Sequence, residues 1–318
     1  MPSPIHALAW NVVHAFENPD GVRNQNVFDA VAKGDVSREI DLLDDDVLPQ
    51  GPRVSKEKGE PARIQISRTH LELLWAFTYG WMVIYEEAVQ KPLIAGAFKG
   101  PIVLDTPLKR NAASLLDWAS GLKQRYSAWP DGLPSPTRAA DQEETGYCLK
   151  ANGIFQDATA FLLYHEFAHI MQGHLTDGYD HSADEGAHAY NKELEREADD
   201  FAFRMFVSED DADEVRRLKG WPLLVPVLSS LYLANGPASV FQANHPHLHH
   251  RIHHVLTQLN FKDEPTRDYY WYLSSVVLTV FAHAHNVGNH QGRMEPDVFD
   301  TAPDAFDAQL EELERLND

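Results

Sequence analysis

The sequence is poor in cysteine, since Cys148 is the only cysteine among 318 residues. A single cysteine excludes an intramolecular disulfide and a zinc site built from several thiolates. Nothing in the neighbouring sequence marks Cys148 as a reactive nucleophile. We therefore predict that it is a small residue of the core.

Long hydrophobic runs are also lacking. The longest, at residues 73–85, is LLWAFTYGWMVIY, which is shorter than the roughly 18–20 residues that cross a bilayer. The first sixteen residues, MPSPIHALAWNVVHAF, have no basic segment followed by an apolar run, as a signal peptide would have. These features predict a cytoplasmic protein with no membrane partner.

Positive charge is scarce, because 27 Lys and Arg stand against 48 Asp and Glu and give a net charge of -21. Surfaces that bind phosphate need clustered basic residues, so we expect no nucleic-acid partner. The acidic surface favours solubility, and a basic segment of a substrate is the alternative interpretation. The remaining composition, 43% hydrophobic and 24% charged, is typical of a globular protein.

No internal repeat is present, and the chain divides at one proline-rich segment. Residues 127–146 contain three prolines and few apolar residues, which predicts a linker. It separates a mainly helical N-terminal region, residues 1–126, from a catalytic region, residues 147–290. Residues 291–318 are predicted to be an acidic C-terminal tail.

Helical periodicity predominates, so we predict a mainly α fold (α+β) with a small sheet and an N-terminal helical region. The best strand candidate is GPIVLDTP at residues 100–107. The acidic residues 41–47 are predicted to be a solvated surface, and residues 49–61 a loop. The predicted helices cover residues 66–92, 107–126, 153–173, 191–207, 221–235, 246–260, 266–285 and 303–316.

The middle of the chain contains HEFAH at residues 165–169. Four residues advance a helix by about 400°, so His165 and His169 share one face and can converge on a single ion. Imidazole is a good zinc donor. Glu166 lies at the edge of that face, where its carboxylate can reach a water on the metal without being a ligand. The spacing predicts a zinc-hydrolase site with Glu166 as general base.

Chance explains the motif poorly, because 17 histidines in a chain of this length give about 0.06 expected matches. The neighbouring apolar residues, such as Phe161, Phe167 and Ile170, predict a buried helix, in which polar side chains need a reason. The alternative is that the histidines are hydrogen-bonded in the core or lie on an exposed face.

A catalytic zinc ion has three protein ligands and one open position. The third candidate lies in ELEREADDFAF, residues 193–203, for which an acidic solvated helix is the alternative interpretation. Glu195 and Asp199 are four residues apart on one face. One can bind the metal while the other accepts a hydrogen bond from a ligand imidazole. The acids that compete for these roles are Glu193, Glu195, Glu197, Asp199 and Asp200.

The two motifs together, HEFAH and EREADDFA, resemble the gluzincin pattern H-E-x-x-H … E-x-x-A-D-x-F-A of the Ste24/HtpX-like and, with variation, the ImmA/IrrE-like metallopeptidases. The resemblance implies that Glu195 is the third zinc ligand and that Asp199 orients a ligand histidine. Downstream, NHPHLHHRIHHVL is similar to the H-P-x-x-x-x-R-I stretch of the Ste24/HtpX-like enzymes. There it implies that His245 lies near the substrate carbonyl and stabilises the oxyanion.

The chain lacks the membrane spans of the Ste24/HtpX-like enzymes, and its layout more closely resembles the soluble, cytoplasmic Lit-like phage-exclusion peptidases. Those enzymes pair the H-E-x-x-H helix with an upstream helical region similar in character to HLELLWAFTYGWMVIYEE and PLKRNAASLLDWASGL. This resemblance implies a bacterial endopeptidase of antiviral defence that is latent until phage infection and then cleaves elongation factor Tu. Composition and spacing do not identify that substrate.

The other histidines have no assigned role. We expect His174, His181 and His188 to be exposed side chains on a loop. Six of the ten residues at 245–254 are histidines, and those after His245 stay unassigned. A non-enzymatic metal-binding regulator, in which this run senses the metal, is therefore the main alternative function. A pseudo-enzyme that keeps the scaffold only is the second, although the intact Glu166 argues against it.

Overall fold

A computed structural model describes residues 3–17, 21–175, 185–242, 245–285 and 301–314. The prediction of a mainly α fold with a small sheet is confirmed. The helices are α1 (Ala9–Glu17), α2 (Gly21–Lys33), α3 (Arg68–Ile84), α4 (Lys91–Ile94), α5 (Pro107–Gly121), α6 (Gln142–Met171), α7 (Glu185–Phe206), α8 (Asp213–Ser229), α9 (Leu248–Leu259), α10 (Glu264–Ala284) and α11 (Ala302–Glu314). No helix in these ranges is long and apolar enough to cross a membrane.

The small sheet has three strands, β1 (Asp41–Leu43), β2 (Arg53–Ser55) and β3 (Arg63–Ser67), in the order β1-β3-β2. β1 is parallel to β3, and β2 is antiparallel to it. Because β3 is the middle strand, β2 lies at an edge of the sheet. The predicted strand at residues 100–107 is wrong, and the predicted surface and loop contain β1 and β2 instead. Both strands are three residues long, too short for a pattern of their own, and they form by pairing with β3.

Helix α3 is the centre of the core, and every one of its residues is buried. It packs against α5, α6 and α8. Its first turn is capped by Ser67, whose side chain accepts a hydrogen bond from the amide of His70. Gly80 allows the close approach of α5, because a Cβ atom there would lie 2.5 Å from Cγ of Leu116. The long apolar run of the sequence is therefore a buried helix, as predicted.

Helix α6 carries the H-E-x-x-H motif and begins eleven residues before the predicted start. Asp141 caps it by accepting a hydrogen bond from the amide of Glu144 at 2.9 Å. Residues 142–146 of the predicted linker thus form its first turns. The division of the chain at residues 127–146 stays a prediction.

The helices downstream are tied together by Arg216 at the start of α8. Its buried guanidinium donates to the carbonyl oxygens of Ser208, Glu209, Asp211 and Leu259 at 2.9–3.0 Å. These bonds join the end of α9 to the connection between α7 and α8. The described part of the acidic tail, α11, packs on α10, with Phe306 fully buried against Trp271. Helix α9 is thus held against α8, and α7 packs directly on α6.

Candidate metal centre

Two imidazoles of α6 lie within hydrogen-bond distance of each other. Nε2 of His165 lies 3.3 Å from Nε2 of His169, and both side chains are buried. Each helix turn carries one of them, as the spacing of four predicts. Both rings therefore direct a ring nitrogen toward the same small volume.

Helix α7 adds a carboxylate to this volume. Oε2 of Glu195 lies 3.2 Å from Nε2 of His165, and its Oε1 lies 3.5 Å from Nε2 of His169. Only 3% of Glu195 is exposed. One ligand atom from each of the three residues lies within 4.8 Å of the others. Two imidazoles and one carboxylate are a donor set that suits a divalent transition ion, so these residues fit a metal.

The pKa values of the cluster show how strongly its charges interact. Burial alone would raise the pKa of Glu195, but hydrogen bonds from His165 and His245 hold it well below its usual range. Burial would also lower the pKa of His165, but Asp199 and Glu195 raise it to about 10. Burial and the charge of His165 lower the pKa of His169 to about 3. A proton held by His165 thus occupies the position where a metal would compete with it.

Asp199 contacts His165 at Nδ1, the ring nitrogen that faces away from the cluster. Its Oδ1 lies 2.9 Å from Nδ1 of His165. Arg251 of α9 donates to Asp199 through Nε at 2.8 Å and Nη2 at 2.7 Å. Burial opposes ionisation of Asp199, but the charge of Arg251 lowers its pKa well below the usual value. The ionised carboxylate accepts the Nδ1 proton of His165 and leaves Nε2 as the atom that faces the cluster.

His174 supports His169 in the same way, and the expectation that it is an exposed loop residue is wrong. Nδ1 of His174 lies 2.9 Å from Nδ1 of His169, and its Nε2 lies 3.2 Å from Oε2 of Glu197. Gly173 adopts a φ of 78° and turns the chain back beneath the end of α6, which buries His174. In the sequence, only the glycine at position 173, directly before His174, indicates that His174 can turn back toward His169.

The sequence predicts exposed loop positions for His181 and His188 as well. His188 is half-buried within α7, so its placement on an exposed loop is also wrong. His181 lies outside the described residues.

Glu166 lies beside the cluster without joining it. Its carboxylate is buried, and the backbone of Val54 in β2 lies near it. Burial raises the pKa of Glu166 to about 7, although the neighbouring His165 opposes the shift. A carboxyl group with this pKa can both accept and donate a proton near neutral pH.

His245 approaches the cluster from the segment before α9. Its Nδ1 lies 2.9 Å from Oε2 of Glu195, and 47% of its side chain is exposed. It is therefore brought beside the metal cluster, while its role at an oxyanion stays a prediction.

The remaining candidate acids lie elsewhere on α7. Glu193 is exposed and bonded to Arg196, and Asp200 accepts from His254 at 2.7 Å. Within the described ranges, His165, His169 and Glu195 are the one group of such residues close enough to hold an ion. The unassigned histidines of residues 245–254 thus form no second cluster of this kind there.

Comparison with known families adds independent information. The model of the family Peptidase U49, the Lit peptidase family, matches residues 64–300. This range contains β3, α6, α7 and α9, and so every residue of the cluster and its supports. No curated protein and no solved structure matches the chain significantly.

Proposed function

The chain belongs to the Peptidase U49 family, and we propose that it is a zinc-dependent endopeptidase with Glu166 as its general base. The peptidase class follows from the family, which covers about three-quarters of the chain. The observation that supports metal dependence is the convergence of His165, His169 and Glu195 beside a buried carboxyl group.

The proposed zinc ligands are His165, His169 and Glu195. When bound there, Zn²⁺ supplies a Lewis acid that polarises the scissile carbonyl and increases the acidity of a nearby water molecule. Asp199 and His174 orient the two ligand imidazoles, since each contacts the Nδ1 atom that faces away from the cluster.

Glu166 is proposed to transfer the proton. Its carboxylate accepts a proton from the attacking water and returns it to the nitrogen of the leaving amine. Its raised pKa, about 7, suits both steps. His245, exposed at the rim of the cluster, is the candidate group for the developing oxyanion.

The edge strand β2 provides a surface along which the substrate can lie. Val54 of this strand contacts Glu166, and an extended peptide can add to the unpaired edge through backbone hydrogen bonds. We propose that the substrate binds in this way, because the pairing would hold its backbone beside the general base.

The identity of the substrate is the finer part of the proposal. The family match supports a peptidase. We propose elongation factor Tu as its cytoplasmic substrate and a role in phage exclusion, as the resemblance to the Lit-like peptidases implies. The same match favours an enzyme over a non-enzymatic metal-binding regulator, because the family is a peptidase family.

Proteomic labelling of new N-termini in a lysate of phage-infected bacteria tests this function. The lysate is treated with the purified wild-type protein or with the Glu166→Gln variant. We expect new N-termini with the wild type only, and elongation factor Tu among their sources. New N-termini in other proteins alone would refute the substrate, and identical profiles for the two proteins would refute the endopeptidase.

A further inference from the structure

A cavity of about 400 Å³ lies between α7 and α9, adjoining the side of the cluster where Asp199 supports His165. Helix α7 contributes Arg196 and Asp199, and α9 contributes Arg251, three histidines and Thr257. The volume is within the range of small-ligand pockets. Neither the proposed catalytic step nor the metal cluster uses this space.

Two arginines, Arg196 and Arg251, line the cavity in a chain whose net charge is -21. Asp199 is the only carboxylate among the described lining residues, and it is paired with Arg251. Arg196 is paired with Glu193, which does not line the cavity. Guanidinium groups form paired hydrogen bonds with carboxylates, so the two arginines suit an anionic group.

Arg251 has hydrogen-bonding capacity left for a ligand. Its Nε and Nη2 atoms are engaged by the two oxygens of Asp199. Among the described residues no hydrogen bond engages Nη1, at the other end of the guanidinium. One arginine can therefore hold Asp199 on one edge and present a second edge to an anion in the cavity.

Arg196 lies on the opposite wall of the cavity, and its interactions with the protein are weak. Its only ion-pair partner in the described part of the chain is Glu193, three residues earlier on the same helix, at 2.7 Å, and both side chains are more than half exposed. An exposed pair of this kind contributes little stability, so the guanidinium can turn toward a ligand at small cost.

We propose that this cavity binds a carboxylate group, held between Arg196 and the unengaged edge of Arg251. The carboxylate has two possible sources. It can be an acidic side chain of the peptide substrate, an assignment that rests on the proposed function, or a free small carboxylate. In both cases the bound carboxylate contacts Arg251, which is paired with Asp199, the partner of His165.

A binding measurement tests the cavity without any need for catalysis. Two matched probes, the α-methylamides of N-acetylglutamate and N-acetylglutamine, are titrated into the full-length protein and followed by ligand-observed NMR. We expect the glutamate probe to bind about tenfold more tightly than the glutamine probe. Arg196→Gln should remove this preference and Arg196→Lys should keep part of it.

The matched control is Arg204→Gln, which removes the same charge from an exposed position on the same helix, outside the cavity. It should leave the preference unchanged. Equal binding of the two probes, binding of neither, or an equal loss in Arg204→Gln and Arg196→Gln would overturn the proposal.

The source of the carboxylate is decided by the cleavage sites in lysate. A peptide source predicts Asp or Glu at one fixed position near the cleaved bond for the wild type, and loss of that preference in Arg196→Gln. A free carboxylate predicts cleavage without such a preference, together with binding of the glutamate probe. If no cleavage occurs, the proposed function fails while the probe titration still decides the cavity.

Discussion

Nδ1 of His169 lies 2.9 Å from Nδ1 of His174, so one metal-site imidazole is hydrogen-bonded to another. For Nε2 of His169 to face the cluster as a lone pair, its Nδ1 must carry the proton and donate to His174. His174 then carries its own proton on Nε2 and donates to Glu197, 3.2 Å away. The chain Glu197–His174–His169 therefore fixes the tautomer of a proposed ligand.

Removal of His174 should weaken the metal site without removing a ligand. We expect His174→Ala to lower zinc affinity by about 10- to 100-fold, because the ring of His169 loses its orientation. Competition with a chromophoric chelator measures this affinity. His188→Gln, which changes a half-buried histidine of α7, is the control and should bind zinc like the wild type. Unchanged affinity in His174→Ala would show that the contact has no such role.

Replacement of Asp199 should lower the stability of the folded protein. Asp199→Asn leaves the buried Arg251 without its counter-charge, and we expect a loss of about 3 kcal/mol in the free energy of unfolding. Urea denaturation measures it. The neighbouring change Asp200→Asn removes a half-exposed partner of His254 and should cost at most about 1 kcal/mol. Equal losses in the two variants would contradict the role given to Asp199.

The stability of the fold should depend on pH through His70. This side chain is buried in α3, neither ring nitrogen has a hydrogen-bond partner among the described residues, and burial lowers its pKa to about 4. The unfolded chain binds the proton more readily, with a pKa near the ordinary value of about 6.5. Stability should therefore fall as the pH decreases from about 6.5 to about 4, by about 3 kcal/mol from this group.

The variant His70→Leu isolates that contribution. Its unfolding free energy, measured by urea denaturation between pH 8 and pH 4, should fall less steeply than that of the wild type. Parallel curves for the two proteins would show that His70 does not titrate in this way.

Two glycines in helices predict opposite effects of the same substitution. Gly80→Ala should destabilise the protein by about 1–3 kcal/mol, because the new Cβ would lie 2.5 Å from Leu116. Gly153→Ala in α6 meets open space and should stabilise it by about 0.5–1 kcal/mol. Thermal unfolding of both variants tests the packing of α5 on α3. A stabilising Gly80→Ala would contradict that packing.

The sequence was sufficient to predict elements that are marked by a periodic hydrophobic pattern or by a fixed residue spacing. The long apolar α3 and the helix that carries His165 and His169 follow from periodicity and spacing. Short elements held by distant partners were not accessible in this way: β2 has three residues, and it depends on pairing with β3. His174 was missed because its burial depends on the left-handed turn at Gly173, which periodicity does not reveal.

The most direct test of the central claim combines two quantities measured on one purified variant, Glu166→Gln. Its zinc content is determined by mass spectrometry of the metal, and its peptidase activity on the lysate substrate is compared with that of the wild type. If His165, His169 and Glu195 hold the metal and Glu166 moves the proton, the variant keeps one zinc per chain and loses cleavage. Cleavage at the wild-type rate would contradict the role of Glu166, and loss of zinc would contradict its separation from the ligands.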